Sequence, residues 1–331
     1  MLNWNSADDS MRCIESLLSQ SDNIPDIILV DNYSSDDSVE ILQSYQNKHS
    51  NSIHFIKNSV NSGYSGGNNI GFQYALDSGY KYIGTLNPDA VADDNWTTPL
   101  ISQLESNLSI GIATGILARS DRKNLDSTGD FYTTWGIPAP RGRNQSINTA
   151  PSEPEYVFGS TGGGFIARSE SLREVGLFDE KFFMYFEDVD LSFRMQLAGY
   201  KVIYTPKSIA YHKISASTNK VPGLAVVQTF KNLPMLFTKN VPYGLWWKIY
   251  PRFILAYSLI LGNAIVNGRG SPAIKGWLAS WLLLVHMFKK RRQIQSRRKV
   301  STDYISSIIW HDIPPDQTGL RKFRKIFTGK P

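Results

Sequence analysis

The sequence predicts an α/β chain: a mainly parallel mixed sheet flanked by helices, followed by an apolar, basic helical tail. Three observations predict it. Short apolar runs alternate with helix-spaced apolar stripes over residues 1–115. Each run ends in a polar turn containing Asn or Asp. The charge also changes sign along the chain: residues 1–219 hold 16 basic against 26 acidic side chains, a net of −10, while residues 220–331 hold 19 basic against Asp303, Asp312 and Asp316, a net of +16. We therefore divide the chain into a body over 1–219, with halves at about 1–115 and 116–219, and a tail over 220–331.

Met1-Leu2-Asn3 reads as a first strand cut to a stub, reaching the polar Asn3-Trp4-Asn5 almost at once. Ser6 with Asp8 and Asp9 starts a helix that carries Met11, Ile14, Leu17 and Leu18 on one face. Ile27-Ile28-Leu29-Val30 has the continuous apolar character of a buried parallel strand. Residues 53–56 and 82–86 repeat that pattern, with a helix through Ala75-Leu76 between them. Such a sheet gathers its ligands at the carboxyl ends of its strands, here Asp31-Asn32, Asn58-Ser59 and Asn87-Pro88-Asp89. Residues 118–155, rich in Gly, Pro, Arg and Asn, lack periodicity and read as a long, partly mobile excursion. Periodicity returns near Tyr156 and runs to His212.

With 331 residues, 41 % of them apolar, the chain can bury a core and is not disordered as a whole. Cys13 is the sole cysteine, and no Cys/His cluster has zinc-site spacing, so a disulfide scaffold and a structural zinc module are excluded and a reducing compartment is expected. Residues 1–12 lack the basic and apolar regions of a signal peptide, so the amino-terminal end is expected in the cytoplasm. In the tail, the apolar stretches 253–266 and 277–288 are each shorter than the roughly 18 residues of a membrane span. Lys289-Lys290-Arg291-Arg292 and Arg297-Arg298-Lys299 follow, and Trp246, Trp247, Trp277 and Trp281 suit an interface. An interfacial helix pair on an anionic membrane surface accounts for all of these; the alternative is a soluble hairpin with a solvated basic end. No nucleic-acid partner is expected, because residues 289–299 contain no base-stacking aromatic.

Four segments could carry chemistry. Asn61-Ser62-Gly63-Tyr64-Ser65-Gly66-Gly67-Asn68-Asn69-Ile70-Gly71 leads into a helix whose amino terminus favours an anion such as a diphosphate, although it matches neither the dinucleotide fingerprint nor the Walker loop. Asn87-Pro88-Asp89 places a carboxylate just beyond a strand, where Asp89 with Asn87 could hold Mg²⁺ or Mn²⁺ against a nucleotide diphosphate; an ordinary turn has the same sequence. Phe182-Phe183-Met184-Tyr185-Phe186-Glu187-Asp188-Val189-Asp190 sets three acids beside aromatic walls. That arrangement suits a general base, or merely a helix start whose dipole favours acids. His212 ends a strand-like run, where it is either structural or a ligand.

In this order, these segments resemble the bacterial family 2 glycosyltransferases, particularly the rhamnosyltransferase-like branch. The resemblance spans residues 1–219 and also includes Leu2-Asn3-Trp4-Asn5, Val30-Asp31-Asn32-Tyr33-Ser34-Ser35-Asp36, Gly162-Gly163-Gly164-Phe165 and Val175-Gly176-Leu177-Phe178-Asp179-Glu180. It implies a GT-A fold and inverting transfer of a single sugar from a nucleotide-sugar donor to a saccharide acceptor, expected to be lipid-linked. By the same resemblance Asn3, Asn5, Asp31, Asn61, Gly66, Asn69 and Asn87 would line the nucleotide site, and Asp89 and His212 would hold the Mg²⁺ or Mn²⁺. Asp188, paired with Glu187, would be the general base, and Gly163, Gly164 and Tyr185 would border the acceptor. Asn87 stands where many relatives carry the first acid of an Asp-x-Asp motif. dTDP-L-rhamnose is the first donor to consider, then a UDP-hexose or a galactofuranose donor. No Gln-x-x-Arg-Trp motif of a polymerising synthase is present, and the expected place is the cytoplasmic face of the plasma membrane, held peripherally.

Overall fold

A computed structural model describes residues 1–213, 221–313, 319 and 321. The elements run β1 (Leu2–Asn3), α1 (Ala7–Leu18), β2 (Ile27–Asp31), α2 (Ser38–Lys48), β3 (Ile53–Lys57), α3 (Gly63–Asp77), β4 (Tyr82–Leu86), β5 (Ala90–Ala92), α4 (Thr97–Ser106) and β6 (Ile110–Arg119). The excursion and second half follow as β7 (Leu125–Ser127), β8 (Asp130–Tyr132), β9 (Pro138–Pro140), β10 (Glu155–Val157), β11 (Gly164–Arg168), α5 (Ser169–Val175), α6 (Glu187–Leu197) and β12 (Lys201–His212). The tail forms α7 (Leu224–Asn240), α8 (Tyr243–Ala264), α9 (Gly270–Leu282), α10 (Leu284–Ser296) and α11 (Thr302–Ile308).

The first half follows the apolar pattern. Ile14 and Leu17 on α1 and Leu29 on β2 are buried together, and β2 pairs in parallel with the two-residue β1 and with β3. The second sheet has the order β10-β12-β6-β11-β4, with β5 on β12 and β7 on β6. Here the expected parallel arrangement survives only between β6 and β12; β11 runs antiparallel to both β4 and β6. The reason is local: a parallel return needs a helical crossover, and the connection from β6 to β11 carries short strands instead.

Much of that connection is packed against the body. Residues 125–130 and 132–134 are buried, β8 and β9 form a hairpin, and Tyr132 stacks on Phe158 with its ring 5.6 Å away and meets Phe193 edge-on at 4.9 Å. Backbone pairing of Asp130 with Gly159, and of Thr134 with Trp310, closes it against the rest of the chain. Aromatic burial and backbone pairing substitute for the periodicity that the segment lacks.

The tail is not a separate layer. Phe230, Phe237 and Phe253 belong to the same buried cluster as Tyr132, Phe158 and Phe193, so the core has no division near residue 219, which itself lies outside the described residues. The two apolar stretches are also longer and more continuous than expected: residues Tyr243–Leu282 form one helical run long and apolar enough, by length and composition, to cross a membrane. A π turn over Ile265–Arg269 interrupts it, and Asn267 and Gly268 leave helical geometry there. One face of α8, through Leu245, Ile249, Phe253, Ala256 and Tyr257, is packed into the protein. The opposite side of α8 to α10 leaves Trp247, Val266, Leu282 and Val285 more than four-fifths exposed, with Trp281 and Phe288 half exposed. Trp246 instead turns inward, stacked at 5.9 Å on Tyr250. Arg291 is 2 % exposed and donates to the carbonyls of Thr238 and Val241, so this member of the basic run is structural.

Candidate active site

Three sheet ends and the start of α6 meet at a cavity of about 530 Å³. Its lining includes Asp89 and Asn87 after β4, His212 at the end of β12, Gly162 before β11, and Tyr185 and Glu187 at the head of α6. Asp188 is bound to that lining: its Oδ2 accepts from the Gly162 N–H at 2.6 Å and its Oδ1 from Val189 N–H at 2.8 Å. The Tyr64 hydroxyl lies 2.7 Å from the Gly162 carbonyl and 3.0 Å from Asn87 Oδ1, which ties the Asp188 side of the cleft to the Asp89 side. Asp89 thus lines the cavity directly, while Asp188 adjoins it through the Gly162 N–H.

His212 joins three residues. Its Nε2 is 3.1 Å from Asp89 Oδ1 and 3.2 Å from Asn87 Nδ2, and its Nδ1 is 2.9 Å from Asp126 Oδ2. Burial alone would lower the imidazole pKa, but the two carboxylates outweigh it and carry it to about 9. Arg143 in turn places Nη2 2.9 Å from Asp126 Oδ1. Among the described residues no group of three or more His, Cys, Asp or Glu side chains is arranged to hold a metal ion. The donor set would fit a divalent cation that takes some ligands from a substrate: the Asp89 carboxylate adjoins His212 Nε2, which would give up its proton to bind the ion, and Asp126 fixes the ring from behind.

Glu187 and Asp188 are neighbours with different surroundings. Burial, then the adjacent Asp188 charge, pushes Glu187 well above the usual carboxylate range, and its Oε2 is buried without a partner. Asp188 is also raised by burial, but two backbone N–H groups oppose the rise. Burial thus raises both carboxyls, and the backbone N–H groups on Asp188 oppose the rise there.

Several sequence-selected residues serve the scaffold instead of facing the cleft. Asp31 is fully buried and accepts from Asn3 Nδ2, Ser34 N–H and the Ser34 hydroxyl, so it orders the turn after β2. Asn3 is equally buried, with its carbonyl taken by Ser10, and Asn5 spans to the Ser34-Ser35 turn. Most of the expected Gly/Asn loop is the first turns of α3. Gly66 backs onto Ser62, a Cβ on Gly67 would lie 2.4 Å from Leu2, and Asn69 clasps both backbone groups of Phe178. Asn61 does line the cavity. On the acceptor side, a Cβ on Gly163 would meet Leu117 at 2.4 Å and one on Gly164 would meet Leu86 at 3.0 Å, so both are required by packing. Gly162 is the glycine at the cleft, where a Cβ would stand 2.8 Å from Asp188 Oδ2. Asp126 and Arg143 are among the cavity residues that sequence reasoning did not select, and Tyr64 lies in a quoted segment without a role of its own. Asp126 and Arg143 sit in the stretch without periodicity, where nothing local marks them.

Residues 1–176 match the description Glycosyl transferase family 2, and residues 127–288 match Glycosyl transferase family group 2. The chain belongs to glycosyltransferase family 2. The chain is 30 % identical over 201 residues to a low-salt glycan biosynthesis hexosyltransferase of Haloferax volcanii, covering 59 % of each. It is 32 % identical over 106 residues to the N-acetylglucosaminyl-diphospho-decaprenol L-rhamnosyltransferase of Mycobacterium tuberculosis, covering 32 % of this chain and 34 % of that one. It is 25 % identical over 211 residues to a poly-beta-1,6-N-acetyl-D-glucosamine synthase of Staphylococcus epidermidis, covering 63 % of this chain and 47 % of that one. The chain thus spans between about a third and three fifths of these relatives. In fold, this family 2 chain matches GalNAc-T7 with UDP, GalNAc and Mn²⁺ at a TM-score of 0.59 and 18 % identity, covering 72 % of this chain and 46 % of that one. It matches the mannosyltransferase PcManGT of Pyrobaculum calidifontis at 0.51 and 12 % identity, covering 93 % and 84 %. The fold is GT-A.

Proposed function

We propose that this family 2 chain is an inverting glycosyltransferase that adds one sugar from a nucleotide-sugar donor to a lipid-linked saccharide in the synthesis of a cell-surface glycan. The observation that carries the reading is the single cleft shared by Asp89, His212, Glu187 and the Asp188-bound Gly162. In it, Asp188 accepts the proton of an acceptor hydroxyl as that oxygen bonds to the anomeric carbon and the bond to the diphosphate breaks. A single displacement of this kind inverts the anomeric centre. Glu187 stands beside Asp188 and lines the same cavity, where it can meet a sugar oxygen. Arg143, 40 % exposed at its side chain beside Asp126, brings a positive group to the mouth of the cavity where a diphosphate would lie. Mg²⁺ or Mn²⁺ held by Asp89 and His212 would supply charge neutralisation of that diphosphate.

The donor that we put first is dTDP-L-rhamnose, in keeping with the mycobacterial relative's name, ahead of UDP-hexoses and a galactofuranose donor. A panel of nucleotide sugars, scored for binding with and without Mn²⁺, is expected to show one donor bound at least about tenfold tighter when the cation is present. Equal binding of every member, or none, would overturn the donor reading.

We also propose that the chain rests peripherally on the anionic cytoplasmic face of the plasma membrane. Exposed Trp247, Val266, Trp281, Leu282 and Val285 form an apolar surface beside Lys289, Lys290 and Arg292, a combination suited to acyl chains and anionic headgroups. The packed inner face of α8 favours lying along the surface over crossing it. Co-sedimentation with vesicles of anionic lipid is expected to fall by about tenfold when Trp281 and Leu282 are both changed to Ser. Unchanged sedimentation would reject this placement.

A further inference from the structure

The loop that precedes Glu187 and Asp188 is strained. Phe183, Tyr185 and Phe186 have φ of 63°, 69° and 70°, values that non-glycine residues hold only where the surroundings over-determine them. The surroundings here come largely from the tail. Asn232 Nδ2 on α7 donates to the carbonyls of Phe182 at 3.0 Å, Met184 at 2.8 Å and Tyr185 at 2.9 Å. Lys231 Nζ adds a bond to Phe182 at 3.2 Å, and the Ser65 N–H holds the carbonyl of Phe183 from the other side.

Asn232 is fully buried, and its Oδ1 has no partner. Three carbonyl acceptors fix which end of the amide faces the loop, and the other end is left unpaired in the core. A residue kept for packing alone at such a place would be apolar. The amide is retained with an unfavourable orphan oxygen, so its value lies in what the nitrogen holds. The helix bearing it is itself clamped: a Cβ on Gly276 of α9 would stand 2.3 Å from the Val227 carbonyl, and Arg291 of α10 donates to Thr238 and Val241.

We infer that Asn232 is a positioning residue for the reaction: it holds the Phe182, Met184 and Tyr185 carbonyls of the strained loop and thereby aims Asp188 at the acceptor hydroxyl. The tail helices then complete the active site from behind, beyond any contact with a membrane. This rests on the reading of Asp188 as general base.

The test compares Asn232→Asp, which is isosteric but has no donors, and Asn232→Leu with Ile249→Ala, which perturbs the same core cluster away from the loop. Because a small misplacement of a reacting group can cost about 10²-fold, both Asn232 variants are expected to lower kcat by about 10- to 100-fold while the donor Kd stays within about twofold. Ile249→Ala is expected to lose stability and keep kcat at temperatures well below its unfolding. Asn232→Gln, whose amide sits one methylene further out, is expected to fall between Asn232→Asp and the parent. A parent-like kcat in Asn232→Asp and Asn232→Leu, or a kcat loss in Ile249→Ala equal to theirs, would overturn the inference. Should Asp188→Asn stay active, the underlying base assignment fails; should Asp188→Asn be inactive while the Asn232 variants turn over normally, only the positioning role fails.

Discussion

Asp188→Asn is expected to lower transfer by about 10² to 10⁴ while leaving donor binding intact, because a general base typically contributes that much. The amide keeps the size of the carboxylate, and one of its ends can still accept from Gly162 or Val189, so the head of α6 stays in place. What disappears is the lone pair able to take a proton near neutral pH. The pH profile gives a second readout. Burial raises Asp188, so parent activity is expected to rise with pH along a limb lying above the ordinary carboxylate pKa, and to fall as Asp188 protonates. In Asp188→Asn that limb is expected to vanish along with the rate. Measured turnover of donor plus acceptor within tenfold of the parent would remove Asp188 from the mechanism.

Lys239→Met is expected to cost about 3–5 kcal/mol of folding stability, as breaking a buried ion pair from one side does. Lys239 is 1 % exposed, with Nζ 2.5 Å from Asp179 Oδ2 and 2.9 Å from Asp190 Oδ1. Arg194 and Asn240 also bind Asp190, and His286 of α10 binds Asp179, so this network joins α6, the loop before it and the tail. Burial by itself would raise both carboxyls; Lys239 above all turns that around and holds both below the ordinary value. Depressed folded pKa values contribute stability that is present above the unfolded value of about 4 and is lost as pH falls further. In Lys239→Met the depression is expected to shrink, with Arg194 and Asn240 still on Asp190 and His286 on Asp179, so the deficit should be full at neutral pH and diminish as pH falls below about 4. Urea unfolding at several pH values reads this directly, and a deficit that does not vary with pH would contradict it.

Much of the first half was legible in the residues. The runs at 27–30, 53–56 and 82–86 became β2, β3 and β4, and in the second half the acids that could mark a helix start do head α6. The acids at 89 and 188 and the imidazole at 212 were selectable because they end strands or begin a helix, where the chain's periodic pattern stops. Roles within the cleft were less legible. Asp31 and Asn3 have the right residue types in the right place, yet each satisfies the other; Gly163 and Gly164 answer to Leu117 and Leu86, while Gly162 meets Asp188.

The residues alone determined the alternating elements, the polar ends of the strands, the acidic body with its basic tail, and the family that these motifs mark. All of these are set within a few residues of one another, where spacing and composition report on local physics. The tertiary structure decided what depends on distant pairing: Asp126 on His212 across 86 positions, and Asn232 on the Tyr185 carbonyl across 47. It also decided that the tail closes the core of the body instead of trailing from it. Such contacts form when buried polar groups must find partners wherever the packed chain brings them, and periodicity carries no record of that choice.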